Sequence, residues 1–156
     1  MDFDKMMGRE DVEFGDMLPG PFLLGLLSAF ENRYQASADR YFKEMTWKQM
    51  FLVICINLCK EPPTLKELSE VVGTSHQNVK QLVLKLEKKN FVKIVPDEKD
   101  KRKQRIYVTK ECEAYYMQHE GETQRVIEKI FEEISQEELM ITIKTIMQME
   151  RNLREL

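Results

Sequence analysis

Histidine and cysteine are scarce in this chain, with two and three copies in 156 residues, and the scarcity excludes several functions at once. His76 and His119 stand alone, with no Cys/His cluster beside them, so no metal site is expected and no cofactor is implied. Cys55, Cys59 and Cys112 are odd in number and lack framework spacing, which argues for reduced thiols over a disulfide scaffold. No apolar run approaches the roughly 18 residues of a membrane span. The opening residues are mixed in charge and lack the basic start of a signal peptide, so the expected location is the cytoplasm. Gly-rich phosphate loops, nucleophile motifs, internal repeats and low-complexity tracts are all missing, which sets an enzyme aside.

What is present is charge, unevenly placed. The whole chain carries −3, but Lys60 to Lys110 holds 13 Lys/Arg against 7 Asp/Glu, or +6, and the remainder holds 11 against 20, or −9. A basic middle between acidic ends is an electrostatic footprint for nucleic acid.

Residues 1–19 are acidic and aperiodic and read as an arm. Gly20-Pro21 opens a long helix, with an apolar stripe at Leu23, Leu27, Phe30, Tyr34, Ala38, Tyr41 and Met45 at steps of three or four. Thr46 is the expected cap of a second helix, with Trp47, Met50, Phe51, Ile54 and Leu58 on its inner face, and Glu61-Pro62-Pro63 stops it. Thr64-Leu65-Lys66-Glu67 is a capping box. It starts a short helix with Leu65, Leu68, Val71 and Val72 inward, which ends at Gly73. Ser75 caps a third element running to Lys89, with core residues Val79, Leu82, Val83 and Leu86. Phe91–Val95 is β-branched, and Arg105–Thr109 alternates with period two, so a hairpin around a charged loop is expected. Helical spacing returns from Lys110 through Cys112, Tyr115, His119, Val126, Ile127, Ile130 and Ile134, with a possible kink at Gly121. Ser135-Gln136-Glu137-Glu138 opens a final helix bearing Leu139, Ile143, Ile146, Met147 and Leu153.

Helix, Gly-containing turn, helix and hairpin, from Thr64 to Thr109, form the arrangement of a winged helix-turn-helix. The fold class expected is mainly α with a small β element (α+β). Residues 46–109 form the DNA-binding region, and 20–45 with 110–156 the helical dimerisation region. In this geometry the second helix enters the major groove and its first residues reach base edges. The outward residues there are Ser75, His76, Gln77, Asn78, Lys80 and Gln81. Gln and Asn can pair bidentately with adenine, and Lys can reach guanine or phosphate; an ordinary polar helix surface is the plainer alternative. The loop cations Lys99, Lys101, Arg102 and Lys103 sit on a projection suited to a minor groove, with Asp97 and Asp100 expected to brace them.

These residues resemble the MarR family of winged-helix regulators. The likeness runs from Leu65-Lys66-Glu67-Leu68 through Leu86-Glu87, then Asp97-x-Lys99-Asp100-x-Arg102 and out through Val108-Thr109. The family's wing signature is Asp-x-Arg-Asp-x-Arg, so Lys99 replaces one Arg. The resemblance implies that Arg102 is the minor-groove residue at the wing tip, with Asp100 orienting the loop. Two departures are Asn90 in place of the usual Gly and Ile94 in place of an Arg that often supports the wing. A third is Leu84, at a position usually polar.

The stripes of the first and last two helices exceed what a small core can cover, so a two-fold homodimer through Leu23, Leu27, Phe30, Ile127, Ile130, Ile143, Ile146 and Leu153 is expected on a palindromic double-stranded operator. Cys55 and Cys59 are expected to be buried thiols, and His119 a core or interface residue. Ten methionines and the rings of Phe30, Tyr34, Tyr41, Trp47 and Phe51 could line a pocket for a small apolar or phenolic effector of the kind relatives bind. A winged helix used for protein interaction without DNA is the competing reading.

Overall fold

A computed structural model describes Gly8 and residues 13–42 and 44–156. The expected acidic arm therefore lies mostly outside the described residues.

Among the described residues six helices and one hairpin follow in order: α1 Pro19–Ala38, α2 Trp47–Leu58, α3 Leu65–Val72, α4 His76–Lys88, β1 Val92–Pro96, β2 Gln104–Val108, α5 Lys110–Ile130 and α6 Gln136–Leu153. The chain divides into two compact units, residues 1–112 and 113–156. Three helices start where side-chain caps place them, whereas α1 begins at Pro19, ahead of the expected Pro21, and its cap residue Leu18 makes no side-chain hydrogen bond. Thr46, Thr64 and Ser135 each accept the backbone N–H three residues on, and Gln49, Glu67 and Glu138 reach back to the cap N–H. Each such pairing satisfies two backbone donors that a helix start otherwise leaves open. Gly73 ends α3 in the left-handed conformation (φ 72°), which costs a residue without Cβ nothing.

The core of the first unit is built from Met50, Leu52, Val53 and Ile56 of α2 and Leu68 of α3. Val79, Val83 and Leu86 of α4 join them, with Phe91, Val92 and Ile106 of the hairpin region. Leu86 is wholly buried. Truncating it to alanine removes packed methyl groups and leaves a void, with an expected loss of about 2–5 kcal/mol. Denaturant unfolding checks this, and a loss below about 1 kcal/mol would show that the site collapses around the void.

The hairpin is antiparallel, pairing Val92 with Val108, Ile94 with Ile106 and Pro96 with Gln104. Its inner edge is extended by the turn before α3, since the Ile106 N–H donates to the Pro63 carbonyl at 2.9 Å. At its base the Thr109 N–H donates to the Phe91 carbonyl (3.1 Å) and the Thr109 hydroxyl to the Asn90 carbonyl (2.7 Å). Asn90 takes the left-handed turn expected of a Gly substitute, at φ 59°.

Five further expectations are corrected. α1 ends at Ala38, so Tyr41 and Met45 lie beyond it: the Asp39 carboxylate accepts the Trp47 N–H at 2.6 Å, and Met45 is buried from a loop. On α2, Phe51 and Leu58 face out, and Gln49, Leu52, Val53, Cys55 and Ile56 are buried with Met50. Val71 is half exposed. Pro96 belongs to β1, where it forms the last pair with Gln104. Ile134 lies past the end of α5, which runs as one helix through Gly121.

In the second unit the His119 Nδ1 lies 2.8 Å from the Tyr115 carbonyl and its ring packs on Tyr115. No residue of α6 is buried.

Candidate nucleic-acid interface

The exposed start of α4 and the wing are held by separate local devices. Ser75 caps α4 by accepting the Asn78 N–H (3.2 Å), and the Asn78 amide donates to the Thr74 hydroxyl (3.2 Å). Ser75, His76, Gln77, Asn78, Lys80 and Gln81 are all exposed, while Val79 between them is fully buried. The buried Val79, Val83 and Leu86 therefore fix which face of α4 is presented.

The wing is shaped by two carboxylates. Asp97 Oδ1 accepts the N–H groups of Lys99 (2.8 Å) and Asp100 (2.9 Å), closing the loop's first turn. Asp100 Oδ1 accepts both the Arg102 N–H (3.2 Å) and its Nε (3.1 Å). Across the neck, the Asp97 N–H donates to the Lys103 carbonyl and the Lys103 N–H to the Asp100 carbonyl. Lys99, Lys101, Arg102 and Lys103 remain exposed, and the Arg102 side chain keeps 91% of its accessible surface. Asp100 is half-buried beneath it.

Sequence reasoning missed Arg105 as the residue that fastens this wing. Its Nε donates to Asp97 Oδ2 at 2.6 Å, and one terminal nitrogen donates to the Pro62 carbonyl (2.9 Å) and Glu67 Oε2 (3.2 Å). Glu67 is at the same time the capping-box acid of α3, accepting the Thr64 N–H. One guanidinium thus links the wing neck, the turn before α3 and the first turn of α3. Its partners lie 8, 38 and 43 residues away in sequence. The available signal was the hairpin register: Arg105 pairs with Val95, so Asp97 is its diagonal neighbour on one face.

The carboxyl groups follow this geometry. The Arg105 guanidinium, then the Asp100 and Lys99 N–H groups, hold Asp97 far below the usual carboxylate range. Arg102 lowers Asp100 through its side chain and then its N–H. The Thr64 N–H lowers Glu67.

Between α3, α4 and the wing lies an open groove of about 550 Å³ with Lys66, Glu67, Glu70, His76, Arg102 and Lys103 on its walls. A second groove, about 450 Å³, is walled by Trp47, Phe51, Leu82 and Asn78, with Glu31 and Lys48 among its charged residues. Tyr34 packs edge-on against Trp47 (4.6 Å) and Phe30 stacks on Tyr34 (6.0 Å), whereas Tyr41 does not line the groove.

None of the residues expected to dimerise is fully buried. Leu23, Leu27, Ile130 and Ile146 are half-buried, and Phe30, Ile127, Ile143 and Leu153 are 40–61% exposed. Of the thiols, Cys55 and Cys112 are buried and Cys59 is half-buried, donating to the Cys55 carbonyl at 3.2 Å. Burial, and then the charge of Cys59, push the Cys55 thiol up. Among the described residues no three His, Cys, Asp or Glu are grouped to hold a metal ion, and no helix is long and apolar enough to cross a membrane.

The sequence model of the MarR family matches residues 45–103. The chain is similar in structure to a MarR protein from Peptoclostridium difficile, with a TM-score of 0.78 at 21% identity over 94% of this chain and 96% of the other. It is also similar to Streptococcus pneumoniae FabT in complex with DNA, with a TM-score of 0.63 at 19% identity over 86% and 97%. Bordetella bronchiseptica BpsR, whose DNA binding is regulated by 6-hydroxynicotinic acid, gives a TM-score of 0.72 at 13% identity over 89% and 96%. No curated protein sequence matches the chain.

Proposed function

We propose, on the premise that residues 45–103 are a MarR-family segment set in a MarR-type fold, that the protein is a homodimeric transcription regulator of the cytoplasm that reads a palindromic duplex operator. The observation that carries this reading is the pairing of an exposed polar helix start with a braced cationic wing, with His76 of α4 and Arg102 and Lys103 of the wing lining one groove. Gln77, Asn78 and Gln81 offer base-edge contacts from α4, and Lys80 offers a base or phosphate contact. Arg102, flanked by Lys101 and Lys103, follows the backbone into the adjacent minor groove. The role is binding, not catalysis.

Dimerisation is supported by the apolar side chains that a single copy leaves uncovered on α1, α5 and α6. Pairing them about a two-fold axis buries both sets and sets two α4 helices about one DNA turn apart. FabT is seen with DNA and BpsR is controlled by an aromatic acid, so effector control fits the same reading. The groove beside Trp47 and Phe51 suits a small apolar or phenolic molecule, and it touches Asn78 directly.

Selection from random duplex DNA at two salt concentrations tests this reading. A palindromic consensus with steeply salt-dependent affinity is expected. Gln77→Ala should relax one symmetric position of that consensus, costing on the order of 1–3 kcal/mol at its base pair. An unchanged consensus removes Gln77 from the readout. No enrichment by a folded dimer favours a protein-interaction module.

A further inference from the structure

One apolar side chain of α4 does no work in the fold. Of the five apolar residues of this helix, Val79, Val83 and Leu86 are buried and Leu82 is half-buried, lining the groove beside Trp47, but Leu84 is 42% exposed. An exposed leucine carries no meaning by itself. Its place on the helix does. Leu84 lies seven residues on from Gln77, about 20° short of two full turns, and one turn on from Gln81. Gln77, Gln81 and Leu84 therefore share the face that points away from the buried Val79, Val83 and Leu86. With Lys80 they occupy positions i, i+3, i+4 and i+7, the spacing at which a helix lying in a major groove presents its base-contacting residues. The exposed neighbours Gln81, Lys85 and Lys88 are polar, so Leu84 is the one apolar group that this face of α4 offers.

We propose that Leu84 is a specificity residue, packing on the 5-methyl group of a thymine in each operator half-site, beside the base read by Gln81. The inference rests on the DNA-binding reading above and names a base which that reading leaves open. In the major groove the apolar group that a base edge presents is the thymine methyl. Leucine has no donor or acceptor, so against any other edge it would cover polar atoms without bonding them, which costs affinity. Gln81 is suited to a bidentate pair with adenine. The two side chains are separated by a rise of about 4.5 Å along the helix, a little more than the 3.4 Å between successive bases of a strand. Together they select a step containing A·T pairs, Gln81 through hydrogen bonds and Leu84 through apolar contact.

The test uses the full chain and the consensus duplex recovered by selection from random DNA, with each thymine in turn replaced by deoxyuridine in both half-sites. The replacement removes one methyl group per half-site and leaves every hydrogen-bonding group of the base in place. Wild type should bind more weakly at one such position at least, by roughly fourfold for each methyl group no longer buried, and so about fifteenfold for the two half-sites together. Leu84→Ala should show at least that loss on the thymine duplex and be indifferent to uracil at the same position, while still responding to changes at the other bases. Leu84→Met keeps the apolar reach and should retain most of the preference for thymine. Circular dichroism of both variants should match wild type, because the side chain lies outside the buried stripe. Three results overturn the proposal while leaving DNA binding intact: wild type indifferent to every uracil, a consensus without thymine in its half-site, or Leu84→Ala responding to that uracil as wild type does. No consensus from a folded dimer would instead overturn the DNA-binding reading, and the proposal with it.

Discussion

Arg102→Ala will give a folded dimer that binds duplex DNA about a hundredfold more weakly than wild type. The Arg102 side chain is 91% exposed, and its one ionic partner in the wing is Asp100 at 3.1 Å. A surface pair of this kind contributes little to folding, typically no more than about 1 kcal/mol. On the proposed DNA-binding reading, the guanidinium acts outside the fold, in a groove of DNA. Removing a specific cationic contact costs roughly 1–3 kcal/mol, and a dimer loses two of them together. The salt dependence should also become shallower, by about one counterion for each phosphate contact removed. Circular dichroism and sedimentation should be unchanged. Arg102→Lys should recover part of the affinity, because a point charge replaces the fork. Affinity within threefold of wild type in the alanine variant would remove Arg102 from the interface.

Arg105→Met should weaken DNA binding at least tenfold without touching DNA itself. This side chain is largely sheltered and joins Asp97, the Pro62 carbonyl and Glu67. Methionine keeps much of the volume and removes every donor. Asp97 is then left with two backbone N–H groups, and the neck of the wing loses its attachment to α3. The Asp97 and Lys103 amides, which close that neck, should exchange with solvent faster than in wild type. Asp97→Asn should reproduce part of the loss, and the double variant should be scarcely worse than Arg105→Met, as expected when two residues serve one contact. Additive losses would show that the two act separately. The pH dependence has a definite sign. Asp97 titrates below its unfolded value, so its bracing is complete above the ordinary aspartate range and is lost only as pH falls through the depressed folded value. The wing therefore stays braced across the neutral range.

Local chemistry was legible in the sequence wherever the partners lie within a few residues. The Thr64–Glu67 and Ser135–Glu138 boxes, the Ser75 cap and the buried Val79-Val83-Leu86 stripe all satisfy short-range constraints. The hairpin was legible because Arg105–Thr109 alternates, although its strands end one residue from the expected positions. The inner face of α2 was not. From Phe51 to Ile56 every residue is apolar, so the 3.6-residue period has no polar side to mark, and packing alone selects Leu52, Val53 and Ile56 over Phe51. The end of α1 was hidden for a different reason. Tyr41 and Met45 continue its period, but the Asp39 carboxylate engages the Trp47 N–H, and Met45 reaches the core from a loop. Within the candidate interface, exposed residues were easy to assign because polarity on a half-buried helix is informative. Arg105 was hidden because two of its three partners lie in a segment brought close only by folding.

The wing is fastened at both ends: Thr109 closes its base onto Asn90 and Phe91, and Arg105 ties its neck to the turn before α3. Its backbone order is therefore established during folding and not during encounter with a duplex. Calorimetry on duplex binding should then show a heat-capacity change matched by the surface buried, without the extra decrement that accompanies coupled folding. Association can proceed at a rate set by electrostatic steering, because no segment has to search for its shape after contact.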